Sequence, residues 1–176
     1  MGIVSLFRVD KKSPSYQREL YRLHYKRIYN SCLRIIGDTM EAEEAMHDAF
    51  LKIFDHIDDL HDEKAFFSWS QRIAVRTSID KIRKKRIIFE QIDEQTAYEE
   101  ENEEEVTFSA EIIKKELNLL PDGYRMVLSM RLFENYDFEE IAQMLHIKES
   151  TVRSQYIRGR DKLARNVKAA VNSNYS

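Results

Sequence analysis

Residues that break a helix are scarce in this chain: four glycines and two prolines are spread over 176 residues, while Leu, Ile, Glu, Lys, Arg and Ala dominate. Turns are therefore few, and helices are expected to carry most of the fold. A single cysteine, Cys32, excludes an internal disulfide, and its place on an apolar helix face reads as that of a buried small hydrophobe. Nowhere do about eighteen apolar residues run together, and the start lacks the charged, apolar and small-residue order of a secretory signal. Those absences argue against membrane insertion and lead us to expect a soluble, cytoplasmic protein.

Groups positioned for catalysis are also missing. His24, His47, His56, His61 and His146 make no metal-ligand pair at helical spacing, and no nucleophile stands beside a readable base. The expectation is a protein that is not an enzyme, with no catalytic residue, no metal and no cofactor. An apolar share of 43% is still enough for a globular core, in one ordinary domain or two small ones.

What is present is charge, sorted by sign. The formal net charge of −3 hides residues 71 to 86, with seven basic side chains against one acidic, and residues 148 to 168, with seven against two. Residues 90 to 105 between them hold nine carboxylates and no Lys or Arg. Two basic stretches flanking an acidic strap point to two contacts with a polyanion.

Apolar periodicity places a first helix over about Tyr16 to Ile36, stopped by Gly37. Asp38 followed by Glu41 has the form of a capping box opening a second helix. That helix is amphipathic, with Ala42, Ala45, Met46, Ala49, Phe50, Ile53 and Phe54 on one side and Glu44, Asp48, Leu51 and Asp55 on the other. A lone surface leucine usually means nothing, but one set in an acidic stripe is also a candidate docking contact. A polar connection, Asp58 to Lys64, leads to a third helix over about Ala65 to Lys85, with Phe66, Trp69, Ile73 and Thr77 as its expected inner side. Arg72, Arg76, Ile79, Arg83 and Arg86 step along the outer side, a row able to follow phosphates. The plainer reading is a solvated face. Such faces normally mix signs to gain helical ion pairs, and no acidic partner is apparent in this row, so nucleic acid is favoured.

Residues 87 to 108 show no sustained period and read as a flexible acidic linker. Beyond it, apolar runs broken by Pro121-Asp122-Gly123 and by Asn135 to Asp137 define further helices, and Asp137 with Glu140 forms a second capping box. A short helix, Phe138 to Leu145, turns through His146, Ile147 and Lys148 into a helix from Glu149 to about Val167. This is a helix-turn-helix pattern, although many helical hairpins share the spacing. On the last helix Val152, Tyr156, Gly159 and Leu163 share the core side. Ser150, Arg153, Ser154, Ile157 and Arg158 face outward, a set able to read guanine edges and a thymine methyl in a major groove. Lys162, Arg165 and Lys168 continue as phosphate contacts.

Taken together, Glu41-Ala42-Glu43-Glu44-Ala45, Asp48-Ala49-Phe50-Leu51-Lys52 and Phe66-Phe67-Ser68-Trp69 resemble the first conserved domain of extracytoplasmic-function sigma factors of the sigma-70 family. Leu119-Leu120-Pro121, Phe138-Glu139-Glu140-Ile141-Ala142 and Glu149-Ser150-Thr151-Val152-Arg153-Ser154 are similar to the second. The resemblance implies an all-α protein of two small domains: an extension at 1–15, a region 2-like domain at 16–86, the acidic linker at 87–108 and a region 4-like helix-turn-helix domain at 109–172. It implies docking on core RNA polymerase, through its beta-prime and beta subunits, by Glu44, Asp48, Leu51 and Asp55. Minus-ten strand contacts would fall to Asp59, Lys64, Arg72, Arg76, Arg83 and Arg86, and minus-thirty-five contacts to Ser150, Arg153, Ser154, Ile157, Arg158 and Lys162. A cognate anti-sigma factor is a further family expectation. Three positions depart from the family pattern: Arg76 stands where Asn is frequent, Ser70 where an apolar residue is usual, and His146 where a turn glycine is frequent. A free-standing dimeric helix-turn-helix repressor is the rival reading, and it leaves the acidic second helix and basic third helix unexplained.

Overall fold

The computed structural model describes residues 10–85 and 110–174, and all of its regular elements among these are helical. The segment 87–108 and Arg86 lie outside the described residues. A first lobe contains α1 (Pro14–Ile36), α2 (Thr39–Asp55) and α3 (Phe66–Lys85), with two 3-10 turns, Ile57–Asp59 and Glu63–Ala65, before α3. A second lobe contains α4 (Ala110–Asn118), α5 (Asp122–Leu132), α6 (Phe138–Leu145) and α7 (Glu149–Asn174).

Local signals explain the helix ends. Ser13 caps α1 by accepting from the Tyr16 amide, and Pro14 sits in the first turn, where its missing N–H costs nothing. Gly37 ends α1 at φ 80°, donating to the Leu33 carbonyl at 2.7 Å. Asp38 opens α2 by accepting from the Glu41 amide at 2.9 Å. At α6 both halves of the capping box form between Asp137 and Glu140.

The inner face of α3 differs from the expected one. Phe66 and Thr77 are buried, but Trp69 and Ile73 are only half-buried, and Ser70, Ala74, Val75, Ser78 and Ile82 supply the rest of the buried face. Small residues let α1 and α2 approach closely. The hydroxyls are satisfied within the helix, Ser70 donating to the Phe67 carbonyl at 3.0 Å and Ser78 to the Ala74 carbonyl at 2.9 Å, so burying them leaves no unpaired group. Cys32 is fully buried in the same core, and that burial pushes its thiol up to about 11.

In the second lobe α7 crosses α5 at Gly159, where a Cβ would stand 3.0 Å from Tyr124 Cβ. Leu117, Leu120 and Leu128 form a small buried cluster there, flanked by Tyr124, Tyr156 and Leu163. The last helix runs on to Asn174, beyond the expected end near Val167, and Val167 itself is buried. Besides α2 and α3, α1 packs against α5 and α4, so the two lobes touch.

Candidate nucleic-acid and polymerase interface

The outer side of α2 carries Glu44, Asp48, Leu51 and Asp55 in solvent, with Leu51 63% exposed. Glu44 also pairs with Lys81 of α3 at 2.6 Å. That hydrogen bond raises the Lys81 pKa, helped by the charges of Asp48 and Glu41, so the acidic stripe holds one cation of the neighbouring helix in its charged form. Between α2 and α3, Asp59 and Lys64 are exposed. Asp59 lies 3.2 Å from His56 Nδ1, and the Lys64 amide donates to Asp62 at 2.9 Å.

On α3, Arg72 and Arg76 are exposed and Arg83 is half-buried. Two features of this row correct the sequence reading. Ile79, placed on the outer side by spacing, is 2% exposed, a member of the apolar cluster that both lobes share. An acidic residue does stand in the row: Asp80 shares a cleft with Arg76 and Arg83, whose far wall is Gln143, Met144 and His146. Burial raises the Tyr136 pKa, opposed by the charge of Arg72 nearby. Arg83 donates from Nη2 to the Met144 carbonyl at 2.7 Å.

On α7, Ser150, Arg153, Ser154 and Lys162 are exposed, Ile157 is 41% exposed, and Arg158 is half-buried. These side chains share the outward side, while Val152 and Gly159 are buried beneath it. Arg153 folds back on its own helix, donating to Glu149 at 2.9 and 2.5 Å, and lies over the Phe138 ring. The turn before α7 places His146 in the left-handed region, φ 55° and ψ 42°, the conformation for which glycine is the usual choice.

Several polar residues of consequence escaped the sequence reading. Glu134, in the turn after α5, has a side chain with no exposed area, and Arg125 and Gln155 are buried as well. Glu134 sits between turn residues, which reads as a surface loop, and only its tertiary neighbours reveal its burial. Gln155 is on the core side of α7, and its Oε1 has no hydrogen-bond partner among the described residues. Such an atom is normally paired.

Comparison with known proteins places this geometry. Residues 20–87 match the family model for sigma-70 region 2, and residues 110–163 match that for sigma-70 region 4. The chain is 28% identical over 165 residues to the ECF RNA polymerase sigma factor SigW of Bacillus subtilis, spanning 85% of this chain and 88% of that one. It is 30% identical over 131 residues to the RNA polymerase sigma factor SigZ of the same organism, spanning 73% of each. The sigma factor RpoE of Bartonella quintana, solved in complex with the anti-sigma factor NepR, shares the fold at a TM-score of 0.55 and 17% identity, over 86% of this chain and 96% of that one.

An all-helical chain with a region 2 lobe and a helix-turn-helix region 4 lobe is a promoter-recognising initiation factor. The chain belongs to the extracytoplasmic-function group of the sigma-70 family of RNA polymerase sigma factors. The repressor reading gives no account of the match over 20–87 and is not favoured.

Proposed function

We propose that this sigma factor divides its work by face. The acidic stripe of α2, Glu44, Asp48, Leu51 and Asp55, seats the protein on core RNA polymerase. Asp59, Lys64 and the α3 row, Arg72, Arg76 and Arg83 with Arg86 beyond it, hold the separated minus-ten strand. The outward side of α7, Ser150, Arg153, Ser154, Ile157, Arg158 and Lys162, reads the minus-thirty-five duplex. In this division residues 16–86 and 109–172 are the two working domains, 1–15 is an extension and 87–108 connects them. The factor performs no chemistry itself, acts in the cytoplasm and is held in check by an anti-sigma factor.

One observation supports the reading: exposed carboxylates gather around an exposed leucine on α2, while exposed basic side chains predominate on α3 and α7, with Asp80 and Glu149 among them. Electrostatic steering toward DNA needs a face of net positive charge, and a protein contact needs an apolar anchor within a complementary rim.

Run-off transcription with core polymerase and a promoter library tests the whole. Initiation at a sequence-related subset is expected, and failure both to join core enzyme and to start at any promoter overturns the reading. Asp48→Arg or Leu51→Arg should abolish pull-down of core polymerase with the helical circular dichroism unchanged. Undiminished pull-down removes the docking assignment.

A further inference from the structure

The segment that leads into α3 is mounted at both ends on α1 and on the residues just before it. At its start the 3-10 turn Ile57–Asp59 is pinned by Ile57 and Leu60, both buried in the core cluster. Leu60 leaves that turn in an extended conformation, φ −81° and ψ 102°, and His61, Asp62 and Lys64 beyond it are exposed. At the far end Phe66 is buried with its ring 4.7 Å from that of His24, and the Arg27 guanidinium lies 3.7 Å over the Phe67 ring. Between the two ends local bonds shape the chain, the Lys64 amide donating to the Asp62 carboxylate at 2.9 Å and the Ala65 amide to the Asp62 carbonyl at 3.0 Å.

Two lysines that belong to none of the faces described above hold the start of this segment. Lys11 is half-buried, and its Nζ donates to the Leu60 carbonyl at 2.9 Å, across 49 residues of sequence. Lys12 pairs with Asp58 at 2.7 Å. The hydrogen bond to Asp58 raises the Lys12 pKa, with the charges of Asp58, Asp55 and Asp10 adding to it. The turn that carries the lysines is itself ordered, since the Lys12 amide donates to the Asp10 carboxylate and the Ser13 amide to the Asp10 carbonyl, each at 3.0 Å. A lysine that serves solubility keeps its amine in water. Here one amine is turned onto a main-chain carbonyl and the next onto a side chain two residues earlier, at the point where the segment leaves its buried anchor.

The acceptor on Leu60 is main chain, so Lys11 fixes the course of the backbone rather than the rotamer of one side chain. Asp59 and Lys64, assigned above to the minus-ten strand, lie on either side of that point. Groups that select a ligand must be held within roughly 0.5 Å of their working positions by the residues around them. An exposed segment free to sample many backbone conformations selects poorly and must be ordered when the ligand binds. The α3 arginines ride on a helix and need no such brace.

We infer that Lys11 and Lys12 are positioning residues for segment 59–64, and that by fixing where the chain leaves Leu60 they set which base the segment accepts in the minus-ten strand. The inference rests on the strand role proposed for Asp59 and Lys64. Neither lysine touches the strand; both act through the backbone that carries those two side chains.

The test uses the full chain bound to core polymerase and a fluorescein-labelled single-stranded oligonucleotide carrying the minus-ten sequence selected from the promoter library, together with its single-base variants. The quantity read is the ratio of affinities for selected and variant strands within one preparation, from which the fraction of folded protein cancels. Lys11→Met should lower the ratio roughly fivefold, the scale of losing one charge-assisted hydrogen bond partly open to water, and Lys11→Arg should restore most of it. Lys12→Asp should lower the ratio about twofold, as expected of an exposed pair, and adding Asp58→Lys to Lys12→Asp should bring it back. Weakening that is equal on every strand, with a smaller salt slope, would put the lysines on phosphate and overturn the inference. A ratio unchanged in Lys11→Met overturns it as well, and Lys64→Ala then separates the two readings. If Lys64→Ala lowers the ratio, the strand role stands without the brace; if it too changes nothing, the strand role of the segment falls with it.

Discussion

The arginines of α3 and those of α7 meet different surroundings. Residues 71 to 86 and residues 148 to 168 each hold seven basic side chains, and both helices pack an apolar side inward. On α3 the C-terminal part of the row meets another lobe, with Arg83 donating across the boundary and Ile79 buried, while Arg72 and Arg76 stay exposed. On α7 the exposed Arg153 has its ion pair within its own helix, and Ile157 is open to solvent. The intrahelical pair between Arg153 and Glu149 is exposed, and such a pair contributes only about 0.3–0.5 kcal/mol, so it gives way readily to a guanine or a phosphate. Charge of one sign is therefore open on α7 and, on α3, open at Arg72 and Arg76 but engaged at Arg83, and the difference comes from what each helix packs against.

The largest effect that would sharpen this contrast comes from emptying the α3 row. Arg72→Ala, Arg76→Ala and Arg83→Ala combined should weaken single-strand binding by holoenzyme on the order of a hundredfold at low salt. The slope of log affinity against log salt should fall by about 2, since each phosphate no longer neutralised removes roughly 0.7. The weakening should be equal on every sequence, as measured by fluorescence anisotropy across a salt series. A slope that does not change would mean that these arginines meet no phosphate.

Arg153→Ala is expected to behave differently, because its partner is a base edge. The cost should be about 1–3 kcal/mol on the preferred minus-thirty-five duplex and far less on duplexes altered at a single position, so that preference relaxes there. Footprinting against a set of single-base variants reads this directly. Equal weakening on all variants would place Arg153 on phosphate and make α7 resemble α3 after all.

The parts legible in the sequence were those that local chemistry decides. Gly37, Asp38 and Asp137 at helix ends gave boundaries within a residue or two, since a cap is a contact between near neighbours. The exposed stripe of α2 and the outward side of α7 followed from helical period, because each of those helices buries one side only. The α3 reading went astray where two partners compete for one helix. Its first-lobe side is built from Ser70, Ala74 and Ser78, whose hydroxyls bond within the helix and so look polar in sequence while packing as small residues. Its other side, at Ile79, borders Gln143 and Met144 of α6, more than sixty residues away in sequence. No period in the chain announces Glu134 or Arg125 either, for their partners, Ser31, Arg34, Ile35, Ile36 and Gln71, are set by how the lobes meet. The acidic segment 87–108 stays a sequence expectation.

The smallest expected effect concerns the turn that aims α7. His146 holds φ 55° and ψ 42° with its amide donating to Gln143 and Ala142 carbonyls, so an L side chain is kept in a region that costs roughly 1–2 kcal/mol for residues with a Cβ. The residue is exposed, and its conformation is imposed by the packing of α6 on α7. His146→Gly relieves that strain but gives the unfolded chain more freedom, and the two effects oppose each other. The net gain should be about 0.5–1 kcal/mol in urea unfolding, with the minus-thirty-five preference unchanged because no base-reading side chain has moved. A drop in duplex affinity in His146→Gly would show instead that the imidazole lies against the DNA. The interface on α7 would then begin one turn earlier than Ser150, and the contrast with α3 would widen.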